Sequence, residues 1–178
     1  IVEKVESKNA LFAMLEQEAK RDAIFATNTS TIPLSELTQS IKTQMRLIGL
    51  HFFNPVARMP LIEVIAGEDC EETVVQKGMA FVRALEKLPL PVKSSPGFLV
   101  NRILLPYLLE SMLLLEAGIP DEAIDKAAVE FGMPMGPVEL ADTVGLDVCL
   151  YAAKSLSHYF GGTLPIGLSK RVEQGQLG

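Results

Sequence analysis

The sequence predicts an α/β region followed by an all-α region, on three observations. Short apolar runs alternate with amphipathic ones over the first half of the chain. After Ser94 the hydrophobic period becomes helical throughout. The 178 residues, 48% hydrophobic and 21% charged, suffice to bury the core of one large domain or of two small ones.

Taken in order, residues 1–5 read as a strand, and Leu11, Phe12, Leu15 and Ala19 recur at helical spacing. Residues 23–28 ("AIFATN") form a second strand, and residues 33–40 a short helix opened by Pro33 in its first turn. Residues 46–53 and 61–67 are further strands, residues 71–86 a helix, and residues 90–94 a last strand. Strands interleaved with helices indicate a mostly parallel sheet. The link from Phe53 to Leu61 is too brief for a helical crossover, so an antiparallel neighbour is expected there. Beyond it, "SSPGF" offers Ser95 as N-cap and Pro96 as first helical residue of an apolar helix over residues 97–115, with a kink expected at Pro106. Residues 119–132 make a second helix ending on a glycine C-cap, and residues 138–160 one or two more, broken near Gly145. "FGGTLP" and the Gly-rich end read as loop and tail. The boundary falls near Lys93, giving regions of residues 1–93 and 94–178.

Composition narrows the function. A net charge of -6 without clustered Lys or Arg argues against nucleic acid as a partner. Cys70 and Cys149 stand far apart without a CxxC, so neither a disulfide framework nor a zinc site is signalled, and the cytoplasm is the default compartment. The most lipid-like run, residues 103–118, is interrupted by Pro106, Glu110 and Glu116 and falls short of the about 20 apolar residues a membrane span needs. The chain opens on Ile1, without Met or polar lead-in, as a fragment of a longer protein would.

Ligands of a doubly wound sheet sit outside the carboxyl ends of its strands. Three polar groups fall there: Glu3, Ser30 and His51. Each has a plain alternative, as a solvated carboxylate, a turn former and a satisfied core histidine. Glu63 shares a strand face with Leu61 and Ile65, and a buried carboxylate needs a charged or hydrogen-bonding neighbour. His51 is the nearer histidine, and the Asn54–Pro55 turn can bring the two strands side by side. A histidine oriented by a carboxylate through one ring nitrogen keeps the other as a general base. A buried ion pair without chemistry explains the same pattern. Asn101 stands among apolar helix positions where an amide needs partners, which a helix–helix hydrogen bond would equally supply.

"HFFNPVARMPLIEVIAG", "TNTSTIP" and "SPGFLVNRILLPYLLE" together resemble the L-3-hydroxyacyl-CoA dehydrogenases, most closely the dehydrogenase segment of multifunctional fatty-acid oxidation complex alpha subunits, from Ile1 to about residue 160. HFFNP with Glu twelve residues after the His is the specific part of the pattern. The resemblance implies a Rossmann-type domain followed by a helical domain, and an NAD-dependent oxidation of 3-hydroxyacyl-CoA in fatty-acid beta-oxidation. It implies His51 as general base, Glu63 as its orienting partner, and Ser30 and Asn101 as hydrogen-bond partners of the substrate. Ile1, Val2, Glu3 and Lys8 would border the NAD site, with Ser30 and Asn54 on its nicotinamide side. The partners implied are a homodimer or, in the parent protein, a complex with a thiolase subunit.

One departure qualifies the likeness. The family opens with a strand, a GxGxxG turn and a helix whose N-terminus holds the pyrophosphate, and no such motif exists among the 13 glycines. The chain therefore reads as the C-terminal part of a Rossmann-type domain plus one helical domain, inactive in isolation. Two rivals stay open: an NAD-dependent dehydrogenase of another 3-hydroxy acid, and a non-catalytic, crystallin-like structural relative.

Overall fold

The structure is a computed structural model. It describes residues 2–30, 32–37, 41–161 and 164–178, the side chains of residues 158 and 160 excepted. The chain divides into two compact units, Ile1–Leu99 and Val100–Gly178.

In the first unit, α1 (Val5–Glu18) leads to β1 (Phe25–Thr27), α2 (Leu34–Leu37), a 3₁₀ turn (Gln44–Arg46), β2 (Leu47–Phe52), β3 (Leu61–Ala66), α3 (Glu72–Ala84) and β4 (Leu88–Lys93). The strands lie in the order β1-β2-β3-β4; β1/β2 and β3/β4 are parallel, whereas β2 and β3, joined by a link too short for a crossover, are antiparallel. That link carries a cis peptide between Asn54 and Pro55.

Side chains alternate across the sheet, so each face gathers its own core. Leu47 and Ile65 pack on one side with Phe12 of α1, Phe25, Leu34, Leu37 and Phe98. Ile48, Leu50, Ile62 and Val64 pack on the other with Val74, Val75 and Val82 of α3. Burying each such side chain contributes roughly 1.5–3 kcal/mol relative to exposure. Gly78 lets α3 come this close, because a Cβ there would lie 2.6 Å from Ile48 Cδ1.

Three expectations need correcting in this unit and the next. Of the strand expected over residues 1–5, Ile1 lies outside the described residues, and residues 2–5 do not form a strand: Lys4 is extended, but Val5 already begins α1, and the polar side chains Glu3 and Lys8, not a neighbouring strand, anchor the segment. The helix expected from residue 97 begins at Val100. Instead of an N-cap at Ser95, the chain makes a tight turn closed by Phe98 N–H on Ser95 O (2.9 Å), with Gly97 at φ +71° and Phe98 at φ +50°. A bulky residue held there costs roughly 1–3 kcal/mol, so the surroundings must enforce it. The expected tail contains a helix, Ile166–Glu173. Leu168 and Val172, four residues apart, pack it onto the helical core, a signal the flanking glycines obscure. Of the helix expected over residues 33–40, Leu34–Leu37 is seen, and residues 38–40 lie outside the described ones.

The second unit comprises α4 (Val100–Glu116), α5 (Asp121–Phe131), α6 (Pro137–Val144), α7 (Leu146–Phe160) and α8 (Ile166–Glu173). Leu105, Leu108, Ser111 and Met112 form the buried stripe of α4, while Ile103, Leu113 and Leu114 on its other faces are exposed. Asp125 of α5 accepts from Val138 N–H (2.8 Å) and Glu139 N–H (3.0 Å), capping α6 across a turn. Among the described residues no helix is long and apolar enough to cross a membrane.

Candidate active site

His51 and Glu63 are direct partners in the antiparallel β2/β3 register, so their side chains leave the sheet on the same face. His51 Nδ1 lies 2.7 Å from Glu63 Oε2. Glu63 is completely buried and His51 is 5% exposed. The second carboxylate oxygen, Oε1, accepts Leu99 N–H at 3.0 Å. Two donors suit an ionised carboxylate, which can only accept. With Glu63 ionised, Nδ1 carries the hydrogen that bridges the pair, leaving Nε2 as the proton-accepting nitrogen. Two aromatic rings border the imidazole: Phe53, with centroids 4.4 Å apart, and Phe98, at 5.8 Å.

A second polar cluster stands at the carboxyl end of β1. Lys8, 3% exposed, places Nζ 2.7 Å from Glu3 Oε2 and 2.9 Å from Asn28 O. The Thr29 hydroxyl donates to Glu3 Oε1, which also accepts Ser30 N–H at 3.1 Å. Burial disfavours the charged form of Glu3, but the hydrogen bonds from Lys8 and Thr29, the Lys8 charge and the Ser30 N–H outweigh it and hold the carboxyl below its ordinary value. Asn28 Oδ1 accepts Phe52 N–H at 3.3 Å, tying the loop after β1 to the end of β2. Both clusters thus sit at the carboxyl ends of a parallel strand pair, where sheets of this class bind ligands.

The structure brings His51 to Glu63, and Glu3 to Lys8 and Ser30. Val2 is exposed and follows no strand; Asn54 is exposed just past β2; Ile1 lies outside the described residues. Asn101 is half-buried in the first turn of α4, in the other unit. Four contributors escaped the sequence reading: Asn28, Thr29, Phe98 and the Leu99 N–H. Thr29, only 2% exposed, reads in sequence as one more turn residue, and a backbone donor leaves no mark in sequence at all. Among the described residues no group of His, Cys, Asp and Glu is placed to hold a metal ion.

The family model described as 3-hydroxyacyl-CoA dehydrogenase, NAD binding domain, matches residues 1–95, and the one described as 3-hydroxyacyl-CoA dehydrogenase, C-terminal domain, matches residues 97–178. The chain belongs to the 3-hydroxyacyl-CoA dehydrogenase family. Among similar proteins, a fatty acid oxidation complex subunit alpha of Pseudomonas aeruginosa is 46% identical over 147 residues, 83% of this chain and 21% of that protein. The chain thus spans about a fifth of the length of this relative. Among solved structures, FadB2 of M. tuberculosis superposes with a TM-score of 0.95 at 37% identity, covering 100% of this chain and 65% of that one. The 3-hydroxybutyryl-CoA dehydrogenase of Escherichia coli gives 0.93 at 36% identity, covering 99% and 39%.

Proposed function

We propose that the chain supplies the catalytic base, the substrate-positioning groups and the nicotinamide side of the cofactor site in an enzyme that oxidises L-3-hydroxyacyl-CoA to 3-ketoacyl-CoA in fatty-acid beta-oxidation. The carrying observation is the His51–Glu63 pair, buried and hydrogen-bonded at the carboxyl end of β2. His51 Nε2 takes the proton of the C3 hydroxyl. The imidazolium that forms is compensated by the Glu63 carboxylate against Nδ1, as differential stabilisation of developing charge requires. NAD, when bound, is the acceptor of the C3 hydride. The Ser30 hydroxyl holds the substrate by a hydrogen bond, and the Asn101 amide is the second such partner that the family resemblance implies; such positioning can supply several kcal/mol of barrier reduction.

The residues present suit the nicotinamide end of NAD. Glu3 keeps an ionised carboxylate on a partly exposed site, fixed by Lys8, Thr29 and Ser30, and such an acceptor suits ribose hydroxyls. Asn54 stands exposed beside the same strand ends, and Val2 precedes Glu3 on the exposed side of the segment. The 178 residues contain no Gly-rich turn for the pyrophosphate, so this chain by itself binds NAD weakly and does not turn over. Residues 1–93 serve the cofactor and residues 94–178 the substrate and assembly. The exposed Ile103, Leu113 and Leu114 on α4 support self-association, as a homodimer or within a complex with a thiolase subunit, and the enzyme works in the cytoplasm.

The test uses the full-length protein carrying these residues. Absorbance of NADH should rise with an L-3-hydroxyacyl-CoA, and His51→Gln should lower kcat by about 100-fold to 10,000-fold. No NADH formation by the wild type, or an undiminished rate in His51→Gln, overturns the proposal.

A further inference from the structure

We infer that the turn closing the sheet unit is a positioning element for the His51–Glu63 pair, with the Leu99 N–H fixing the carboxylate and the Phe98 ring fixing the imidazole. This rests on the reading of His51 as the base. One hydrogen bond between a carboxylate and an imidazole leaves the carboxylate free to turn about its last side-chain bond. A second donor from rigid backbone removes that freedom. Leu99 supplies it to Oε1 while Nδ1 holds Oε2. The Leu99 side chain is 40% exposed, so its backbone, and not its side chain, is what the site uses.

Phe98 explains how that N–H is aimed. Its ring is 2% exposed and packed among Phe12, Phe25, Leu34 and Leu37, which anchors it from behind while its near side borders His51. Its backbone is left-handed at φ +50°, directly after Gly97 at φ +71°, and the turn is closed on Ser95 O. Two consecutive left-handed residues rotate the next peptide, so the Leu99 N–H leaves the turn toward Glu63 and not along the chain. Glycine at 98 would adopt that backbone readily but would supply no ring. The sequence instead keeps a bulky residue in an unfavourable conformation beside the base, the kind of local strain that accompanies a preorganised site. A carboxylate already fixed in place needs no reorganisation when the imidazole takes up its proton.

Two variants of the full-length protein test this. One replaces the Leu99 amide N–H by an ester oxygen and keeps the leucine side chain; the other is Phe98→Leu. In the substrate-free protein, the proton NMR resonance of the His51 Nδ1–H bridge should move upfield or be lost to solvent exchange in both. In steady-state assays kcat should fall at least about tenfold while KM stays within about threefold, because a misplaced base damages the transition state and not ground-state binding. Melting curves ensure that each variant is folded at the assay temperature. An unchanged resonance, or a wild-type kcat in the folded variants, overturns the inference. If Phe98→Leu does not fold, the ester, which alters a single backbone group, decides the matter. A wild type lacking dehydrogenase activity removes the catalytic reading only, and the resonance then decides positioning alone.

Discussion

The two units bury very different things. Among the described residues the sheet unit encloses Lys8, Thr27, Thr29, His51 and Glu63, whereas the buried polar residue of the helical unit is Ser111, whose hydroxyl turns back onto Leu108 O at 2.7 Å. Enclosing a charge costs several kcal/mol unless it is paired and hydrogen-bonded, and replacing such a pair by apolar residues is often neutral or stabilising. In the sheet unit the fully buried pair is His51–Glu63, at a place where an apolar pair would serve packing equally well. The helical unit is closed by Leu108, Met112, Leu146, Cys149, Leu150 and Leu168, and burial pushes even its Cys149 thiol up to about 11, well away from reactivity. The proposed chemistry falls in the unit where polar burial does.

Glu63→Gln should show the largest effect. In the full-length enzyme kcat should fall at least about 100-fold with KM changed by less than about threefold, since the lost interaction grows as the imidazole charges. A raised KM with unchanged kcat would make the pair a structural feature and erase the contrast between the units. Glu3→Gln should act more gently and through pH. The carboxyl of Glu3 is held below its ordinary value of 4.5, so its contribution to stability is complete above that pH and is lost as pH falls through the lower, folded-state value. The wild-type melting temperature should accordingly drop below pH 4.5 more steeply than that of Glu3→Gln; parallel curves for the two proteins would show that the cluster carries no linked proton. Asp125→Ala, in the helical unit, should cost only about 1 kcal/mol through the lost cap of α6, lowering that unit's melting temperature by roughly 4–8 °C and leaving kcat untouched. A loss of turnover there would place chemistry in the helical unit as well.

How legible each part was in sequence depends on whether side chains or backbone carried it. Strand runs such as "RLIGLHFF" and the stripe of α3 were readable because burial imposes a period, and an ionisable residue interrupting an apolar run marks itself, as His51 and Glu63 do. Lys8 was more hidden. It shares a helix face with Phe12, four residues on, and that adjacency of a lysine to a core phenylalanine is a signal that periodicity alone passes over. Residues 1–5 misled because their β-branched content suits a strand, while strand identity depends on a paired neighbour that no residue choice guarantees. The Leu99 N–H was invisible in principle, since every residue but proline carries the same donor.

The cross-strand register has a consequence for how the gene can change. His51 faces Glu63 because β2 and β3 pair without slippage, and a slip of one residue would swing Glu63 to the opposite side of the sheet, among Val74, Val75 and Val82. Deleting one codon within either strand would thus part His51 from Glu63 and strand a carboxylate in hydrocarbon at once. The exposed link of residues 55–60, where Lys87 Nζ bonds Val56 O and Met59 O at 2.8 Å, lies outside the paired region and can change length without shifting that pairing. Insertions and deletions accepted during descent should therefore accumulate in the link and be purged from the strands, so that the hairpin acts as a reading frame for the proposed active site, tolerant in its punctuation and intolerant in its words.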